Sequence, residues 1–194
     1  MRIGVVALFT LLIITGCTND NFKRYQSLVA EEPASGKHAD SLFAGIYLGM
    51  SSKDFYVHCW QLNKAGLFTD GENNNAVLYQ LHKGELKYNA SMNFYPEFLN
   101  GKIYKMQATI NYDAWAPWNK SMMADSLQQD VLKLFAKWYP AGNPFLRIED
   151  KERGVIYVKV DGNRRIIVGK YDDMRVKVDY TDLLTEQASN TKVK

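Results

Sequence analysis

The chain has 194 residues, 46% hydrophobic, 23% charged and 13% aromatic, with 24 basic and 21 acidic side chains giving a net charge of +3. Such a composition excludes a mostly disordered chain and fits one domain, or two small halves sharing a core. Two cysteines cannot build a dense disulfide framework, and so small a net charge gives no electrostatic case for nucleic acid.

Arg2 precedes an apolar run, Ile3 to Ile14, broken only by Gly4 and Thr10. The run is too short to span hydrocarbon, which takes about 20 residues, but it suits the core of a signal peptide. Ile14-Thr15-Gly16-Cys17 follows, an aliphatic residue and two small ones before cysteine. This resembles the lipobox of bacterial lipoproteins. The resemblance implies cleavage after Gly16, a diacylglycerol on the Cys17 thiol and acylation of the new amino group. Residues 1–16 are then a signal peptide, and 17–39 are expected to be a lipidated N-terminus and flexible tether, because Glu31-Glu32-Pro33-Ala34-Ser35-Gly36-Lys37 shows no sustained periodicity. Thr18-Asn19-Asp20-Asn21 holds one acidic residue where surface-exported lipoproteins of Bacteroides relatives carry several. A lipid-anchored envelope protein on the outer membrane, facing the periplasm, is therefore expected, with the cell surface as the other location. Acylation would consume Cys17 and leave Cys59 unpaired, where it reads as a small core residue.

The α+β domain is expected over 40–185, in halves of about 40–114 and 115–185, with 186–194 a polar tail. Leu42, Phe43, Ile46 and Leu48 open it as one short packed element. Ser51 and Asp54 predict a capped helix start, stapled by Met50 and Phe55, with Cys59 and Leu62 continuing the apolar stripe and Gly66 ending it. Three strands are predicted next: around Val77-Tyr79-Leu81, from Leu86 through Ala90, Met92 and Phe94, and, after the Asn100-Gly101 turn, from Tyr104 through Met106, Ala108, Ile110 and Tyr112. Trp115-Ala116-Pro117-Trp118 leads to a second helix with the stripe Leu127, Val131, Leu134, Phe135, Trp138, closed by Pro140 and Gly142. Four more strands are predicted at Phe145–Ile148, Val155–Val160, Arg165–Lys170 and Met174–Tyr180, with Asp161-Gly162-Asn163 as a hairpin turn. The reading is two tandem helix-plus-antiparallel-strand halves forming one curved sheet, with helices packed on one face and the other face wet.

Ile46-Tyr47-Leu48-Gly49-Met50-Ser51-Ser52-Lys53-Asp54-Phe55 resembles the helix start of small outer-membrane-assembly lipoproteins and of the β-lactamase inhibitor protein fold, which is built from tandem helix–sheet repeats. The likeness covers about ten residues. It departs from that group at Ala65-Gly66-Leu67-Phe68-Thr69, where a glycine-x-proline is usual, and in carrying a second half. The nearest likeness as a whole is to lipoproteins of the Bacteroides group.

Motifs for chemistry are lacking. His38, His58 and His82 fall on separate segments, and no zinc, EF-hand, phosphate-loop or nucleophile-elbow pattern occurs. Glu149/Asp150 and Asp172/Asp173 read as turn residues. No enzyme activity, cofactor, metal or nucleic-acid partner is expected. Recognition is instead expected on the wet strand positions, Asn89, Ser91, Lys105, Gln107, Thr109, Lys159, Arg175 and Lys177, as a surface for an envelope protein partner. Trp115 and Trp118 are expected to pack against the second helix. The alternative makes them a loop binding a small ligand or glycan.

Overall fold

The computed structural model describes residues 17–71, 76–81 and 84–191, with the side chains of 17–19 left out. The expected signal peptide, residues 1–16, lies outside the described residues, as does His82.

Helix α1, Cys17–Ala34, is followed by α2, Ser52–Lys64. Four strands come next: β1 Phe68–Asp70, β2 Val77–Gln80, β3 Ala90–Leu99 and β4 Lys102–Tyr112. Helix α3, Ala124–Trp138, opens the second half and leads to β5 Leu146–Asp150, β6 Gly154–Asp161, β7 Arg164–Lys170 and β8 Arg175–Asp182. Helix α4 is Leu183–Thr191. All eight strands form one antiparallel sheet in the order β1-β2-β3-β4-β8-β7-β6-β5. Each half is thus a helix followed by a four-stranded meander, and the last strands of the two pair with each other, Ala108 opposite Val178.

The α+β architecture read from the sequence is the one observed, with three corrections. A fourth strand, β1, occupies residues 68–70, where no element is expected from the sequence, because Phe68 is buried and all three residues pair with β2. The expected tether is a docked helix, α1. The expected polar tail is largely α4, started by Asp182, whose carboxylate accepts from the Leu184 and Thr185 amides.

Helices α2 and α3 cover one face. Ser51 Oγ accepts from the Asp54 amide at 3.1 Å and donates to its carboxylate at 2.7 Å, while Met50 and Phe55 are buried as the staple. Beneath the helices, Phe43 sits edge-on to Phe94, with ring centroids 4.8 Å apart, and packs against Trp138 and Tyr180. Edge-on aromatic pairs add about 0.5 to 1.5 kcal/mol each beyond area burial.

On the opposite face, the buried apolar side chains gather at the β5–β7 end. Leu146, Ile148, Ile156, Val158 and Ile167 form a second cluster, and Tyr25 and Leu28 of α1 pack on it. Ile166 and Val168, flanking Ile167, belong to the main core, so α1 lies across the sheet from α3. Only Tyr25 and Leu28 of α1 pack on the cluster, and with Phe22 exposed among mostly polar residues the helix has a weak apolar stripe.

The far end of α1 is fixed at the β6–β7 turn. Glu32 accepts from the Gly162 amide at 2.7 Å and from the Asn143 side chain at 2.9 Å. Asn163 accepts from the Ala39 amide and donates to Asp40, and its carbonyl accepts from Leu183 at the start of α4. Gly162 has φ +53, and a Cβ there would stand 2.4 Å from the Lys37 carbonyl oxygen. No side chain fits so close an approach.

Behind this turn is a buried charge cluster. The Asp161 carboxylate meets Lys159 at 3.0 Å and Arg164 at 3.4 Å, and all three residues are buried. Lys159 also donates to the Ala141 and Asn143 carbonyls, and Arg164 to that of Ser41. Lys159 is therefore not on the wet face. In β6 the polarity reverses phase, and its register places Lys159 under the α3–β5 loop.

Asp161→Asn is expected to cost about 3 to 5 kcal/mol in urea unfolding, because two buried cations lose their counter-charge. A second outcome concerns acid. The Gly162 amide holds the Glu32 carboxyl below its ordinary value of 4.5, opposed by burial and aided by Asn143, Lys37 and Lys159. Its stabilisation is complete above that value and is lost as pH falls through the lowered one. In thermal melts between pH 6 and 3, Glu32→Gln is expected to remove about 1 kcal/mol of the acid-dependent stability loss.

Candidate functional site

The uncovered part of the second face is a set of cross-strand rows fixed by register. Asn93, Thr109 and Lys177 form one, and Tyr95, Gln107 and Asp179 the next. Ser91, Asn111 and Arg175 lie to one side, Glu97, Lys105 and Thr181 to the other. These side chains alternate with the buried Met92, Phe94, Met106, Ala108, Ile110, Val176 and Val178, so burial of one face dictates polarity on the other.

Two depressions, of 490 and 340 Å³, lie on these rows and share Gln107 and Lys177. Together they make a trough across β3, β4 and β8. Tyr95 and Tyr171 line its first part, and its second ends against Tyr25, Arg153 and Arg165 beside α1. Gly169, opposite Lys177, contributes no side chain to the floor.

Charge in the trough is mostly compensated. Glu186 of α4 bridges Lys105 at 3.2 Å and Arg165 at 3.1 Å, and Lys177 lies 3.4 Å from Asp179. Gln107 donates to Glu97, which also accepts from Tyr104. The floor is thus a hydrogen-bonding surface with paired charges, suited to a polar partner surface and not to a polyanion.

Of the residues singled out by alternation, Ser91, Lys105, Gln107, Thr109, Arg175 and Lys177 share this face. Ser91 is engaged structurally, since it donates to Asp113, which also accepts from Gln80. Asn89 lies exposed in the loop before β3, its carbonyl accepting from the Asp113 amide. Lys159 is on the other face and buried. Tyr95, Tyr171, Arg165 and Glu186 were not foreseen as part of the site. Tyr95 was legible, being in phase with Asn93. Glu186 was not, because α4 carries it back to the sheet.

Trp118 is 84% exposed on the loop after β4, not packed on α3. Trp115 is half-buried, with its indole Nε1 sealed from solvent and without a hydrogen-bond acceptor. Neither lines the trough. Asp150 and Asp172 are turn residues, each carboxylate accepting from two amides in its own turn. His58 bonds the Ala44 carbonyl at 2.7 Å, and His38 stands apart, 4.0 Å from Asp40. Among the described residues no group of three or more histidines, cysteines or acidic residues is placed to hold a metal ion, and no helix is long and apolar enough to cross a membrane.

Cys59 is half-buried on α2, and burial pushes its thiol up to about 11. At pH 8 that leaves about one thiolate in a thousand, against about one in four for an ordinary thiol of pKa 8.5. Iodoacetamide is therefore expected to alkylate the folded chain about two orders of magnitude more slowly than the urea-unfolded chain at pH 8, as followed by intact mass. Compared with protein-family models, curated proteins and solved structures, the chain matches none of them.

Proposed function

We propose that the chain is a lipid-anchored envelope lipoprotein, a non-catalytic module that engages another envelope protein across the polar trough on β3, β4 and β8. The observation that carries this reading is selective coverage. Where the second face carries a buried apolar cluster, α1 roofs it, and the polar rows on β3, β4 and β8 are left open with Tyr95 among them. Tyrosine beside hydrogen-bonding side chains supplies large contact area at low entropic cost, the usual make-up of a protein-binding patch. The lipobox-like Ile14-Thr15-Gly16-Cys17 and the preceding apolar run support the anchor, with the outer membrane's periplasmic side as its place. The resemblance of residues 46–55 to small outer-membrane-assembly lipoproteins belongs to this proposal too.

The test is site-specific photo-crosslinking in cells. A crosslinker at Gln107 is expected to give one discrete heteromeric adduct that Lys177→Glu abolishes, while one at Lys133 on α3 gives none. Lys177→Glu is expected to shift unfolding by less than about 1 kcal/mol, being a surface change. Adducts of equal yield from both positions, or none from Gln107, would remove the trough from the reading. Cys17→Ser is expected to move the chain from the membrane to the soluble fraction.

A further inference from the structure

Helix α1 is attached to the sheet almost from its first residue. Asn21 donates to the Arg147 carbonyl at 3.0 Å, and the helix then runs along β5 and β6 to Glu32 at the Gly162 turn. From Cys17 to Asn21 is about 6 Å of helix, no more than the depth of one headgroup layer. An acylated Cys17 would therefore leave the domain no slack to stand off the bilayer. Whichever end of the sheet lies beside the start of α1 must lie against the membrane.

Register identifies that end. Phe22 faces the β5–β6 turn, where a 680 Å³ hollow is lined by Phe22, Ile148 and the turn residues Asp150 to Arg153. The β7–β8 turn is at the same end, because Ile156 pairs with Gly169 and Lys170 with Val176. So is the loop leaving β4, since Asn111 pairs with Arg175, and the Ala124 amide donates to the Asp173 carbonyl at 2.8 Å. Three of the exposed large side chains collect there, one from each segment: Phe22 at 44%, Tyr171 at 56% and Trp118 at 84% exposure. The β3–β4 turn and the start of α2 are at the opposite end, with the Ser52 amide donating to Gly101.

We infer that this end of the sheet is a membrane-seating surface, on which Phe22, Tyr171 and Trp118 rest in the headgroup layer of a zwitterionic phospholipid bilayer. The inference rests on the proposed acylation of Cys17. Tyrosine and tryptophan are enriched at that depth because one side of the ring is apolar and the other wet, and Phe22 adds apolar area beside them. The same end carries self-compensated charge: Lys170 pairs with Asp125 at 2.7 Å, Arg175 with Asp172 at 2.7 Å, and Arg153 with Asp150 at 3.2 Å. That pairing favours neutral headgroups over anionic lipid. It also makes the seating an orientation device, setting the strands, and the trough on them, upright from the membrane.

The full-length lipoprotein, purified from membranes and reconstituted in phosphatidylcholine vesicles, tests this with brominated phosphatidylcholine as a quencher. Intact mass first establishes whether Cys17 is acylated. Trp118→Phe is expected to lose the larger part of the tryptophan quenching, whereas Trp60→Phe, two turns into α2, keeps it. Adding Phe22→Trp to the Trp118→Phe variant is expected to restore quenching, and replacing a third of the lipid by phosphatidylglycerol to change none of it. An acylated chain whose Trp118 is quenched no more than Trp60 overturns the seating while leaving the anchor standing. An unmodified Cys17 overturns both. Saturable quenching of Trp118 by N-acetylglucosamine oligomers in detergent, without the bilayer response, would assign the loop to glycan and overturn the seating as well.

Discussion

The Lys159–Asp161–Arg164 cluster is the constraint on which the arrangement of the other parts depends. Three buried charges are tolerable only while each has its partners, and those partners come from separate stretches of chain. Lys159 needs the Ala141 and Asn143 carbonyls of the α3–β5 loop, and Arg164 needs the Ser41 carbonyl of the segment before α2. Asp161 in turn accepts from the Asn143 amide, and Gly142 beside it has φ +81 with no room for a Cβ against the carboxylate. Arg164 also lies over the Tyr139 ring, whose hydroxyl donates to the Leu42 carbonyl. The cluster therefore fixes the loop, the entry segment and the end of α3 together. Through the adjoining turn it fixes the end of α1 as well.

A change of phase in the second meander gives the sheet its division of labour. In β3, β4 and β8 the alternating buried positions, such as Met92, Phe94, Ala108, Ile110, Val176 and Val178, point toward α2 and α3. In β5 and β6 they point the other way, and β7 is apolar on both faces through Ile166, Ile167 and Val168. A second apolar patch on an otherwise wet face would be an association liability, and α1 removes it. The chain preceding the domain is thus part of its core arithmetic, and the uncovered polar region is what remains once that patch is closed.

Much of this was legible because period-two alternation is strong where one face is buried and the other solvated. Both expected helices, the capping at Ser51, the Asn100-Gly101 turn with φ +50 and +72, and six of the eight residues assigned to the wet face follow from that pattern or from turn chemistry. Lys159 failed because alternation assigns a face only if the phase is known. Its strand changes phase, and a lysine on the core side is stable there only through partners distant in sequence. Helices α1 and α4 failed because polar residues dominate both sequences: α1 rests on the sheet through Tyr25 and Leu28 and is pinned by Glu32, and α4 reaches back through Glu186, so both look like linkers. Trp118 failed in the other direction, since its hydrophobicity argued for packing that the loop does not provide.

The central pairing of β4 with β8 joins equivalent strands of the two halves, antiparallel, about Ala108 and Val178. A strand that pairs antiparallel with its counterpart is related to it by a two-fold rotation, the symmetry of an isologous dimer. Each half thus offers an interior strand whose free edge would accept a second copy of itself. The molecule has the topology that fusion of such a pair would leave, and the phase change in β5 and β6 marks where the two copies would have parted company, one keeping its back open and the other acquiring α1.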